Sequence, residues 1–159
     1  MFLRVEVIAD EIINNIINDN GLFQQMHRYV INNRVKVIRA TLAPTGRVVY
    51  FASWHGPHNH ITDVGKEETA SDLIRLMRII SGRQPFIIGG DFNLLADNEF
   101  PEIDRVRHQT PNGIIPHDID YFVLGNRGEF NVQNVTRPLP LENRDTLDHE
   151  PVQATFSNV

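Results

Sequence analysis

Apolar positions along the chain follow two rhythms, and the switch between them marks out the elements. In Arg34–Leu42 (RVKVIRATL) and Arg47–His55 (RVVYFASWH) the apolar residues alternate or run together as in strands, on either side of the turn-rich Ala43-Pro-Thr-Gly46. This predicts a β-hairpin whose second strand is apolar enough to lie centrally in a sheet. Gly56–Val64 reads as a loop. Over Lys66–Ile80 the period lengthens. Leu73, Leu76, Met77 and Ile80 recur at i, i+3, i+4 and i+7 behind an acidic first turn, which predicts an amphipathic helix ended by Gly82. A buried strand at Gln84–Gly89 leads into a Gly89-Gly90-Asp91 bend. Further strands are expected at Asp120–Leu124, Phe130–Val135 and Val152–Phe156, with 94–118 mostly loop and one helical turn near Glu102–Val106.

Residues 1–33 allow two readings. Ile8, Ile12, Ile13, Ile16 and Ile17 have helical spacing, with Asn20-Gly21 as a stop. Their β-branched side chains equally suit a strand at 3–8 followed by a shorter helix. Strands dominate the whole, with one helix crossing between two of them, so a mixed α/β layered domain is expected.

Composition narrows the class. The chain has 159 residues, enough to bury a sizeable core as a single domain, and 41% of them are hydrophobic and 22% charged, as in a folded globular protein. No run approaches the roughly 18 apolar residues of a membrane helix. Charges at Arg4, Glu6, Asp10 and Glu11 break up any signal-peptide core. With no cysteine, disulfides and thiolate zinc sites are excluded, though the compartment stays open between secreted and cytoplasmic. A net charge of −5 makes the chain a poor passive DNA binder, but still permits an enzyme that meets phosphate through a metal and a few placed cations.

The chemistry-bearing residues sit where strands run out. Asp91 and Asn93, in FIIGGDFN, are two apart, so strand alternation would project them together. Asp oxygens suit Mg²⁺ or Mn²⁺, and an amide can hold a phosphate oxygen or a water. The ordinary reading of such a string is an Asx turn. Asp148-His149 precedes a last apolar strand, so one side chain can ligate metal while its neighbour acts as general acid or base. Asp120 opens a strand in apolar surroundings, suited to fixing an imidazole tautomer or to a plain hydrogen bond. His55 ends a strand before Gly56-Pro57, and Arg34 opens one and can fork onto phosphate; structural and solvated roles are the simpler defaults. A rival cluster, His55, His58 and His60 with Asp63 behind, suggests zinc. Its spacing departs from the HxHxDH run of metallo-β-lactamase-type hydrolases, so His58 and His60 read as loop residues.

Taken in order, WH, GGDFN, IDY and DHEPV resemble the sequential signature of the endonuclease/exonuclease/phosphatase (DNase I-like) superfamily. The resemblance covers Arg34 to the C-terminus, so residues 34–159 carry the motifs of a single partial domain. The NNR…VIRATL–turn–VVYFASWHGPHN passage looks most like the nuclease subunit of cytolethal distending toxins. The resemblance implies a DNase I-like layered β-sandwich flanked by helices. It further implies a Mg²⁺- or Mn²⁺-dependent phosphoester hydrolase, most like an endonuclease, with nucleic acid favoured over phospholipid headgroups as substrate. Asp91, Asn93, Asp120, His55 and His149 are similar to the catalytic set, Asp148 to the metal-binding acid, and Arg34 with Asn93 to the phosphate-binding groups. Any toxin-type partner subunits are not readable from this chain.

Family members also begin with an Asn-bearing strand and a Glu-bearing segment, and residues 1–33 show neither, so the amino-terminal part of the fold is expected to be lacking. Three readings follow: a working hydrolase with a remodelled start (acting on nucleic acid, or on a phosphoinositide or sphingolipid), a crippled fragment, and a phosphate-binding module without catalysis.

Overall fold

A computed structural model of the chain describes residues 2–24, 31, 33–43, 45–58, 61–94, 104–106, 109–110, 113–114, 119–125, 130–136 and 153–158. The apolar alternation of the hairpin becomes β2 (Val35–Leu42) and β3 (Val48–His55), paired antiparallel. Ahead of them lie β1 (Phe2–Val7) and α1 (Asp10–Asp19), which selects the strand-then-helix reading of the first residues. Ile13 and Ile17 turn inward and Ile12 outward, so only part of the isoleucine series is core.

The long helix, α2 (Asp63–Ser81), starts three residues before the periodic segment because Thr62 caps it, its side chain accepting from the Gly65 amide at 3.2 Å. Gly82, at φ 62°, ends it. Strand β4 (Phe86–Asp91) follows and pairs parallel to β3, as a helical crossover allows.

Three short strands come next: β5 (Asp104–Val106), β6 (Gln109–Thr110) and β7 (Gly113–Ile114). Strand β8 (Asp120–Gly125) then pairs antiparallel to β4, and β9 (Phe130–Thr136) pairs with β10 (Gln153–Asn158). The helical turn expected near Glu102–Val106 is corrected by β5. Asp104, Arg105 and Val106 lie opposite Leu124, Val123 and Phe122, so distant strand pairing overrides the local preference.

Among the described residues the main sheet has six strands in the order β1-β2-β3-β4-β8-β5. Alternate residues on its inner strands, namely Val35, Val37, Ala52, Trp54, Phe86, Ile88, Tyr121 and Val123, join Ile13, Ile17, Leu73, Leu76 and Met77 of the helices in one core. Each fully buried Leu or Met there contributes about 1.5–3 kcal/mol. On the opposite face the Phe122 ring meets Phe156 of the β9–β10 pair edge-on, centroids 5.3 Å apart. The molecule is thus an α/β layer, helices against a mixed sheet, with a small second sheet behind it.

Candidate active site

The site is built by register. β3 and β4 run side by side and end together, and β8 begins where they end. His55 is therefore opposite Asp91, and Asp91 opposite Asp120. Directly opposed residues share a face, so a histidine and two aspartates form one row across three strands. His55 Nε2 stands 3.8 Å from Asp91 Oδ2, with Asp91 only 14% exposed and His55 53%. The next residue, Phe92, turns into the core and stacks on Tyr121 at 4.2 Å and 7°, which anchors the strand end from beneath.

Asp91 and Asn93 do come together, but not by strand alternation. The strand stops at Asp91, and Asn93 adopts φ 50°, the left-handed region that Asn tolerates better than most residues. Its amide donates to Asp91 Oδ1 at 2.7 Å and its Nδ2 to Asp91 Oδ2 at 2.9 Å. The Asx turn and the candidate site are the same object: the turn holds both carboxylate oxygens in place.

A second loop closes on this turn. The Gly56 amide donates to the Asp91 carbonyl at 2.6 Å, and Asn93 Nδ2 donates to the Gly56 carbonyl at 3.1 Å. A Cβ on Gly56 would collide with the Phe92 carbonyl, and one on Gly90, at φ 153°, with the Trp54 carbonyl. Both glycines are there for close backbone approach. Arg34 Nη1 donates to the His55 and Gly56 carbonyls at 2.9 and 2.5 Å. That nitrogen braces the loop, leaving the rest of the guanidinium for the phosphate role implied by the resemblance.

His58, weighed in the sequence as part of a histidine cluster and then read as a loop residue, does stand at the site. Gly56-Pro57 folds the chain back so that His58 Nε2 lies 2.8 Å from His55 Nε2, the rings perpendicular. His55, His58 and Asp91 offer three ligand atoms within 4.8 Å of one another, the one such group among the described residues. The HGPH spacing was the available signal, but the sequence pairs it with Asp63, which instead starts α2, 85% exposed and bridged to Lys66 at 3.3 Å. His60, Asp148 and His149 lie outside the described residues.

Magnesium or manganese binds through oxygen. Asp91 supplies such oxygens at the strand end, with Asp120 in register opposite it on β8. The donor chemistry therefore fits such an ion.

No family model matches the chain, and no curated protein matches it. Solved structures do. The human Nocturnin catalytic domain, with bound sulfate, superposes with a TM-score of 0.60 at 17% identity over 79% of this chain and 52% of that one. An endonuclease/exonuclease/phosphatase from Bacteroides vulgatus gives 0.58 at 16% identity, over 79% of this chain and 55% of that one. The chain has the endonuclease/exonuclease/phosphatase fold. A humanised D. rerio TDP2 gives 0.57 at 14% identity, over 99% of this chain and 65% of that one. The chain thus spans about half to two thirds of the structures that share its endonuclease/exonuclease/phosphatase fold, in line with a fold that lacks a part. None of these three structures is a toxin subunit, so the narrower resemblance rests on its sequence passage.

Proposed function

We propose that the chain carries the phosphate-binding and catalytic half of a divalent-metal-dependent phosphoester hydrolase, and that its substrate is a nucleic-acid phosphodiester. The observation that carries the reading is the His55–Asp91–Asp120 row, with Asn93 fixed on Asp91 by its own turn. The nuclease assignment draws on the toxin-like passage through WHGPHN. A sulfate-binding Nocturnin domain among the similar structures supports an anion-binding role for the fold.

In this reading Asp148 holds Mg²⁺ or Mn²⁺, which when bound would neutralise charge on the phosphate. His149 takes a proton from the attacking water, and Asp120 keeps its ring in the required tautomer. Asn93 Nδ2, which already reaches across from Asp91 to Gly56, exchanges that carbonyl for a phosphate oxygen. His55, more than half exposed beside Asp91, donates to a second oxygen, and the Arg34 guanidinium supplies positive charge near it.

A second reading is a phosphate-binding module without turnover. Nicking of supercoiled DNA separates the two. Under the hydrolase reading it requires Mg²⁺ and disappears in His149→Ala, while the emission of Trp54, the chain's one tryptophan, and cooperative unfolding are retained. Nicking that survives EDTA or His149→Ala sinks the reading. Retention of a phosphorylated oligonucleotide in EDTA, with no turnover, establishes the binding module instead.

A further inference from the structure

The His55–His58 pair carries chemistry that magnesium-dependent hydrolysis does not use. Two imidazole nitrogens 2.8 Å apart share one proton between two lone pairs, which brings both Nε2 atoms to one point. Beside that point lies Asp91 Oδ2, 3.8 Å from His55 Nε2. We propose that His55, His58 and Asp91 bind a zinc-class transition-metal ion, which replaces the shared proton and withdraws His55 from phosphate. The inhibitory half of this proposal rests on the hydrolase reading; the metal site itself does not.

The geometry suits the ion. Tetrahedral zinc with bonds of about 2.0–2.1 Å places neighbouring ligand atoms roughly 3.3–3.4 Å apart. The two imidazoles need to part by about half an ångström, and the carboxylate to approach by a similar amount. The rings stand perpendicular with centroids 4.9 Å apart, so swinging their nitrogens toward one centre brings no ring clash.

The ligands are also held from behind, as metal ligands generally are. Both Asp91 oxygens accept from Asn93, and His55 is fixed by strand register and by the Arg34 brace on its carbonyl. Buried Pro57 sets the turn that returns His58 to His55. Three protein ligands leave a position for water, and the exposed side of His55 gives the ion an entry path.

Ligand type supplies the selectivity. Two imidazoles and one carboxylate favour zinc, copper or nickel over magnesium, which keeps to oxygen. Zinc then opposes the magnesium-dependent reaction rather than supporting it. An ion on His55 Nε2 removes the hydrogen bond that residue would give to phosphate, and it ties down the carboxylate beside Asn93.

The test titrates the intact chain with Zn²⁺ alone by calorimetry, and with Co²⁺ alone by visible absorption. One ion per chain is expected, with the d–d bands of a four- or five-coordinate site. Exposed His58 can be changed without disturbing the core: His58→Ala should raise the dissociation constant by at least about tenfold, as removal of a direct ligand demands. Asp63→Asn should leave it unchanged. Nicking in Mg²⁺ supplies the second readout. The zinc concentration that halves each variant's own zinc-free rate should rise by a similar factor in His58→Ala.

Absence of zinc binding overturns the proposal, as does equal binding by His58→Ala or loss of binding in Asp63→Asn. A chain that binds zinc in the expected pattern yet cuts nothing establishes the metal site and sinks the hydrolase reading. One that cuts with magnesium and ignores zinc does the reverse.

Discussion

Asn93 is where backbone strain and site chemistry meet, and substitutions there separate the two. Asn93→Gly removes the Nδ2 hydrogen bonds to Asp91 Oδ2 and the Gly56 carbonyl but suits φ 50°. A bond to a charged acceptor contributes about 1.5–3 kcal/mol and a neutral one about 0.5–1.5. Both are only part-buried, so a combined loss of about 1–2 kcal/mol is expected. Asn93→Ala loses the same bonds and also places a Cβ in the left-handed region without a polar side chain to compensate, adding roughly 1–2 kcal/mol. Glycine should therefore be better tolerated than alanine, the reverse of their order in regular structure. With urea slopes of about 1–3 kcal/mol per molar, the two variants should differ in midpoint by roughly half a molar or more. Buried Trp54 reports the transition in urea unfolding. An alanine variant as stable as the glycine one, or more so, refutes the left-handed turn and the fixed carboxylate that depends on it. Both variants should lose hydrolysis together.

Two further outcomes test the frame around the site. Gly56→Ala drives a Cβ into the Phe92 carbonyl, so thermal unfolding should show a loss of about 1–3 kcal/mol, with an accompanying loss of hydrolysis. Thr62→Ala removes the α2 cap and should cost about 1 kcal/mol in denaturant titration while leaving the catalytic rate in Mg²⁺ as it was.

The hairpin, α2 and β4 were legible because their apolar periods are long and bounded by Gly, Pro and Thr signals. β4 runs on to Asp91, beyond the apolar residues, because hydrogen bonding to β3 and β8 carries the strand through two glycines. β5 was hidden because its three residues are strand only by virtue of pairing with Phe122–Leu124, about twenty positions away. At the site, residue types and order identified His55, Asp91, Asn93 and Asp120 as a set, and strand register brings His55, Asp91 and Asp120 into line. The local geometry was a different matter. Alternation suggested how Asp91 and Asn93 meet, whereas the chain uses a turn. His58 depended on the direction in which Gly56-Pro57 sends the chain, which no periodicity encodes.

Strand β1 lies at one margin of the main sheet, with Val5 and Val7 open to solvent. Such a margin offers unsatisfied amides and carbonyls to any passing extended segment. Glu6 lies between these valines and is bridged to Arg4 at 2.6 Å and to Arg39 at 2.8 Å, so this marginal strand is also studded with paired charge. Those charged gatekeepers favour keeping each molecule separate in concentrated solution.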